Sequence, residues 1–401
     1  MRTSLIAAAI ATAIAIPSAA RAANCESDLT NPVYLQIGDT QQPLIKVLGR
    51  ALRDNTPHPI TLVYVTAGSC TNINALLNGT AITTTMSYVP SSVENPTWKA
   101  SDPPLSCTPG VGHVPDIANS NVFVSACTQD PLPNTITQVR GPVQAYVMAV
   151  PEASTETAMT VEEAYFVFGF GALGMVTPWN DESQMFIRAV TRSTLLSWAY
   201  NVGVPAAKWK GTVPGTPGAD KSTDVVNALK NSPAPAKAIG ILGAEVYDQN
   251  RATLNVLAFR SFGQYSAYYP DSDAAKLDKA NVRDGHYTVW SPTVYLYPVA
   301  AGTTTPVLAD AKYVVDLIAD RAVSPAPNFD PTDSVVSVGL VPDCAMKVTR
   351  EFEGGNLATY APAEPCGCYF DSKVATTTCA VCDTNTPCAA GVCRHGYCEA
   401  N

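Results

Sequence analysis

Charge is scarce in this chain. Only 15% of its 401 residues are Asp, Glu, Lys or Arg, against about 25% in average globular usage. With 46% hydrophobic residues there is ample material for a core, so general disorder is excluded. Basic residues are outnumbered, 25 to 34, for a formal net charge of −9. No basic stripe breaks that balance, and nucleic acid is not an expected partner. Histidine is rarer still: His58, His113, His286 and His395 are scattered, none at metal-ligand spacing. No Gly-x-Ser-x-Gly elbow marks a hydrolase nucleophile. Residues 215–222 share glycines and a Lys-Ser pair with a P-loop, but lack the glycine before Lys221 and carry Pro217. No carboxylate pair stands out for acid–base work, and no internal repeat is visible. These absences lead to the expectation of a non-enzyme that holds neither metal nor cofactor.

Long apolar runs are confined to the N-terminus. Arg2, the apolar run 5–16 and Ala20-Arg21-Ala22 follow the order of a secretory signal. The run is too short to span hydrocarbon. Residues 1–22 are therefore expected to be a signal peptide, and the mature chain to be periplasmic or secreted with no membrane span. Cys25 follows closely, but Ala22-Ala23-Asn24 is a poor lipobox, so no lipid anchor is expected. Twelve cysteines also suit an oxidising compartment. Cys25, Cys70, Cys107 and Cys127 lie in the front, and eight lie between Cys344 and Cys398. Both sets are even, so pairing is expected within each. Cys379-x-x-Cys382 alone has zinc-type spacing, and the signal favours disulfides.

Strand-like and helix-like segments alternate. Extended runs are expected at 33–37, 60–65, 121–127, 143–150, 185–190 and 238–242. Helices are expected at 43–52, 73–77, 161–170, 194–202, 222–229 with a serine cap, and 312–319. Proline- and glycine-rich loops interrupt at 88–110 and 211–220. The alternation argues for an α/β fold with largely parallel sheets.

Three strand-like runs end in a small or hydroxyl-bearing turn before a helix. They are Gly38-Asp39-Thr40, with Pro43 suited to the first helical turn; Gly68-Ser69-Cys70-Thr71; and Arg192-Ser193-Thr194. Helix N-termini carry free N–H groups and partial positive charge, so they attract anions. Arg192 adds a planar fork matched to an oxyanion. Ordinary N-caps favour the same residue types; the recurrence and the arginine carry the anion-site reading.

The order of these segments resembles the phosphate-binding branch of the type 2 periplasmic solute-binding proteins. The residues that carry the resemblance are Ala67-Gly68-Ser69-Cys70-Thr71-Asn72, Phe168-Gly169, Trp179-Asn180-Asp181 and Ile187-Arg188-Ala189-Val190-Thr191-Arg192-Ser193-Thr194. Further on come Ala238-Ile239-Gly240-Ile241-Leu242 and Arg283-Asp284-Gly285-His286-Tyr287 with Trp290. The resemblance spans roughly residues 31–320. It implies a two-lobed periplasmic-binding-protein fold that closes by hinge motion on a small oxyanion, phosphate first, for delivery to a membrane ABC transporter permease. The turns and the resemblance nominate Gly38, Asp39, Thr40, Gly68, Ser69, Ser120, Arg192, Ser193 and Thr194 as ligand-binding residues. The chain departs from the family where Ser193-Thr194-Leu195-Leu196 shortens the turn after the arginine. Asn119-Ser120-Asn121 also puts amides where the family has a Ser-Asp pair, and Asp39 could replace that acceptor.

The implied organisation is lobe one from 23–140 and a return segment 285–345, lobe two from 141–284, and a cysteine-rich C-terminal module at 346–401. From Cys366 the tail is expected to be a separate disulfide module, dispensable for ligand binding. The alternative to solute capture is a secreted or surface adhesion or structural protein that keeps the fold without a phosphate ligand.

Overall fold

Two apolar runs seed the first lobe. Strands β1 (Pro32–Gly38) and β2 (Thr61–Ala67) pair in parallel, Pro32 opposite Thr61 through Gly38 opposite Ala67. Both are buried along most of their length, as parallel strands covered on two faces must be. Between them runs helix α1 (Gln42–Arg53), with Pro43 in its first turn and Leu44, Ile45, Leu48 and Leu52 buried at helical spacing. Strand β3 (Ile117–Ser120) joins the other edge of β1 in parallel. The strand expected at 121–127 lies upstream of that position, and Val124–Ala126 form a 3-10 turn. The reason is local: the Ser120 hydroxyl donates to Val122 O at 2.6 Å and accepts from Val122 N at 3.3 Å, turning the chain out of the sheet. The computed structural model describes residues 23–383 and 386–400, so the expected signal segment 1–22 lies outside the described residues.

One long strand serves both lobes. Strand β4 (Ile136–Pro151) is followed in the chain by β5 (Met185–Phe186), β6 (Ile239–Gly243) and β7 (Trp290–Pro298). Strand β7 pairs antiparallel with β4 from Pro298 opposite Ile136 to Trp290 opposite Ala145. One residue later β6 takes over, from Gly243 opposite Tyr146 to Gly240 opposite Ala149. In sheet order the strands run Ala23–Asn24, Leu105–Thr108, Met86–Tyr88, β2, β1, β3, β7, β4, β6, β5. The sheet is therefore mixed rather than largely parallel, because β4 leaves lobe one while β7 returns to it. The exchange of partners at Ala145/Tyr146 marks where the chain passes between lobes.

The helices that matter for the site follow the strand ends: α2 (Ser69–Leu77), α3 (Val161–Phe170), α4 (Ser193–Val202), α5 (Ser222–Lys230) and α6 (Ala244–Asp248). Helix α5 has Lys221 as its N-cap, not Ser222, which is its first helical residue. Helices α7 (Ala309–Ile318) and α8 (Pro331–Ser337) cover the first lobe. A second core, with Tyr146, Phe168, Trp198, Trp209 and Trp290, fills the other lobe.

Six disulfides use all twelve cysteines, and each pair stays within its expected set: Cys25–Cys107 and Cys70–Cys127 in front, then Cys344–Cys366, Cys368–Cys379, Cys382–Cys393 and Cys388–Cys398. The first part of the tail is not free-standing. Helix α9 (Gly367–Val374) places Tyr369 and Phe370, with Cys366, in the same apolar cluster as lobe two. The Tyr369 hydroxyl donates to Asp330 Oδ2 at 2.5 Å, and Arg394 Nη2 pairs with Asp320 at 2.6 Å. The physical reason is that α9 has an apolar face with nowhere else to be buried. Phe370→Ala should cost about 3–5 kcal/mol in denaturant unfolding, as cavity-forming aromatic deletions do; a loss below about 1 kcal/mol would detach α9 from the core.

Candidate functional site

The turn after β1 starts the site. The Gly38 amide donates to Asn119 Oδ1 at 3.3 Å, and a Cβ on Gly38 would lie 2.9 Å from Asn121 Nδ2, so only glycine fits without displacing that side chain. Asp39 follows and reaches out of lobe one. Its two oxygens accept from Arg188 Nη2 at 3.2 Å each, and Oδ2 also accepts from Ser222 N at 2.9 Å and Ser222 Oγ at 3.0 Å. Arg192 Nη1 stands 3.6 Å from Asp39 Oδ1.

On the lobe-two side the two arginines share a second carboxylate. Arg188 Nε donates to Asp220 Oδ2 at 2.7 Å, and Arg192 Nε to Asp220 Oδ1 at 3.2 Å. Arg188 Nη1 donates to Ser222 Oγ at 2.7 Å and Nη2 to Asp220 O at 3.1 Å. Burial alone would raise the Asp39 and Asp220 carboxyls, but the Arg188 and Arg192 charges and the hydrogen bonds outweigh it and hold both below their ordinary value. The cluster is two buried cations against two carboxylates, with the N-terminus of α5 adding partial positive charge.

A neutral network lies beside it. Thr40 Oγ1 donates to Gln144 Oε1 at 3.2 Å, and Gln144 Nε2 donates to Glu245 Oε1 at 2.8 Å. Asn121 Nδ2 donates to Thr40 Oγ1 at 2.5 Å, and its backbone N to Ser69 Oγ at 3.1 Å. The buried phenol of Tyr146 donates to Asn121 O and meets the Ser193 hydroxyl. Burial pushes Glu245 up to about 8, against its hydrogen bonds, so it keeps its proton at neutral pH. At the start of α2, a Cβ on Gly68 would sit 2.6 Å from Thr191 O, and Cys70 N donates to that carbonyl at 3.5 Å.

The nominated residues are thus distributed as follows. Asp39 and Arg192 meet directly; Gly38, Thr40 and Ser69 gather around Asn121; Gly68 packs on Thr191; Ser193 and Thr194 are buried in the first turn of α4. The Ser120 hydroxyl is turned to Val122 and joins none of them. Sequence reasoning missed Arg188, Asp220, Ser222, Gln144 and Glu245 as site residues. A signal existed for the first: Arg188 interrupts an apolar run four residues before Arg192.

No protein-family model matches the chain, and no curated protein matches it. Solved structures do. A protein from Clostridium perfringens assigned as a phosphate ABC transporter substrate-binding protein, solved with bound phosphate, superposes at TM-score 0.52 with 13% identity, over 78% of this chain and 99% of that one. The fold is the two-lobed periplasmic-binding-protein fold. An ABC-type phosphate transport receptor from Vibrio cholerae matches at TM-score 0.47 and 14% identity, over 77% of this chain and 99% of that one. The fold assignment rests on the first of these.

Glu245 gives the periplasmic-binding fold of this chain a pH signature. Between its ordinary 4.5 and about 8 the folded state holds a proton that the unfolded chain releases, so stability falls as pH rises through that window. Asp39 and Asp220 act in the opposite sense: their contribution is present above 3.8 and is lost as pH falls through their depressed values. Thermal melts of Glu245→Gln should be flatter than wild type between pH 5 and 8. Parallel curves would show that Glu245 is not the group responsible.

Proposed function

We propose that the chain is an exported solute-binding protein whose interlobe cleft receives a small oxyanion, phosphate first among the candidates, and hands it to an ABC transporter permease. The observation that carries this reading is the meeting of Arg188 and Arg192 with the N-terminal turns of α4 and α5 at the lobe boundary. Guanidinium forks and free helix N–H groups are the donors a tetrahedral oxyanion needs. The likeness to a phosphate-bound protein supports the same ligand class. The six disulfides suit an oxidising compartment such as the periplasm. Among the described residues no helix is long and apolar enough to cross a membrane, so delivery would require a separate permease.

A second reading, a secreted adhesion or structural protein that keeps the fold without a phosphate ligand, is favoured by one specific observation. Asp39 already sits on Arg188.

Calorimetry of the mature protein against phosphate, sulfate and small organic acids, up to millimolar concentrations, separates the two. Saturable binding of one anion is expected. A charge-assisted contact is worth about 1.5–3 kcal/mol, so Arg192→Ala should weaken it roughly 10- to 150-fold. Arg192→Lys should recover only part, keeping charge but losing the fork. Equal affinity for wild type and Arg192→Ala would remove this residue from the site.

A further inference from the structure

The donors expected to hold an oxyanion are already engaged, in part by groups from the opposite lobe. Asp39, from lobe one, accepts from Arg188, from the Ser222 amide at the start of α5 and from the Ser222 hydroxyl, with Arg192 3.6 Å away. A bound oxyanion would make this same set of contacts. The start of α2 is likewise taken by a lobe-two group, the Thr191 carbonyl. Asp220 balances the second arginine. An anion entering without displacing Asp39 would therefore find no uncompensated positive charge and a carboxylate in its way.

The cluster is asymmetric in a way that suits exchange. The side chains of Arg188 and Asp220 are 0% and 1% exposed and meet at 2.7 Å. Asp39 is the most exposed member: its side chain is 13% exposed, and its contacts to Arg188, at 3.2 Å, are longer than the Arg188–Asp220 contact. The Arg188–Asp220 pair is fixed within lobe two, whereas Asp39 has a route to solvent and belongs to the other lobe. We propose that Asp39 is an internal ligand, occupying the oxyanion's place on Arg188, Arg192 and the α5 N-terminus and latching the two lobes together until an anion displaces it. This rests on the oxyanion reading for the identity of the competitor, but the latch itself does not.

Displacement lowers apparent affinity by the fraction of molecules whose site is unlatched. Removing Asp39 should raise it. Asp39→Ala is expected to bind inorganic phosphate at least about tenfold tighter than wild type in calorimetry. Asp39→Asn, which keeps the shape without the charge, should fall between them and serves alone if the alanine variant does not fold. Without anion, small-angle scattering should give the variant a larger radius of gyration than wild type, reduced again by saturating phosphate. Equal or weaker phosphate binding by the variant overturns the proposal, since Asp39 would then be idle or would itself contact the anion. If neither protein binds phosphate, scattering decides. A wider variant keeps the latch and discards solute capture; an unchanged one discards both.

Discussion

Arg188 is a guanidinium with no exposed surface, and its neighbours are arranged around that fact. A buried guanidinium must have its donors matched, because desolvation is repaid only by good geometry and full hydrogen bonding. Asp220 takes Nε, Ser222 takes Nη1, and Asp39 with the Asp220 carbonyl takes Nη2. Those partners come from the loop before α5, the first turn of α5 and the turn after β1. One side chain thus fixes the entry of two helices and the approach of one lobe to the other. Leaving such a charge unpartnered costs about 3–5 kcal/mol, so these three segments are constrained together rather than singly.

The crossing strands carry the same constraint into the centre of the molecule. Gln144 lies on β4 one residue before Ala145, the last partner of β7, and its amide bridges Thr40 of lobe one to Glu245 of lobe two. An amide suits that place because it accepts from a hydroxyl on one side and donates to a carboxyl on the other. An apolar side chain there would leave the Thr40 hydroxyl without its acceptor and Glu245 Oε1 without its donor.

Much of the first lobe was legible from sequence because local signals agree there: β-branched runs, Pro43 at a helix start and the 3.6-residue spacing of Leu44, Leu48 and Leu52 all point to β1, α1 and β2. The strand β7 was not among the expected extended runs, and it carries Pro292 and Pro298, which disfavour a strand. Pro292 is accommodated at a register irregularity between Pro292 and Val294, as prolines in sheets generally require. The candidate site was half legible. Turns at strand ends flagged Asp39, Thr40, Ser69 and Arg192, but Arg188 acquires meaning only from Asp220, 32 residues on, and Asp39, 149 residues back. Asp220 and Ser222 sit in a stretch whose glycines and prolines signal only a loop. The tail's cysteines were legible as staples, while the core role of Tyr369 and Phe370 depended on where α9 docks.

The C-terminal extension bears on how freely this fold can open. Glu353 is buried, and it accepts from Ser197 of α4 at 2.8 Å and from Ser291 of β7 at 2.6 Å. Gly354 packs against Tyr200, where a Cβ would come within 3.0 Å of the tyrosine Cβ, and Arg350 lies over the Trp290 ring at 4.2 Å. A segment beyond the return strand therefore joins a lobe-two helix to a crossing strand, close to the point where the lobes exchange β4. Burial raises Glu353, with the Ser291 and Ser197 hydroxyls and Arg350 opposing it, so the join is held by hydrogen bonds and packing more than by charge. In the proposed latch an incoming anion competes with Asp39 for Arg188, whereas at Glu353 it would meet a buried carboxyl already held by two serine hydroxyls. Release of Asp39 from Arg188 would therefore leave the Glu353 contacts to Ser197 and Ser291 in place, and with them the join between α4 and β7.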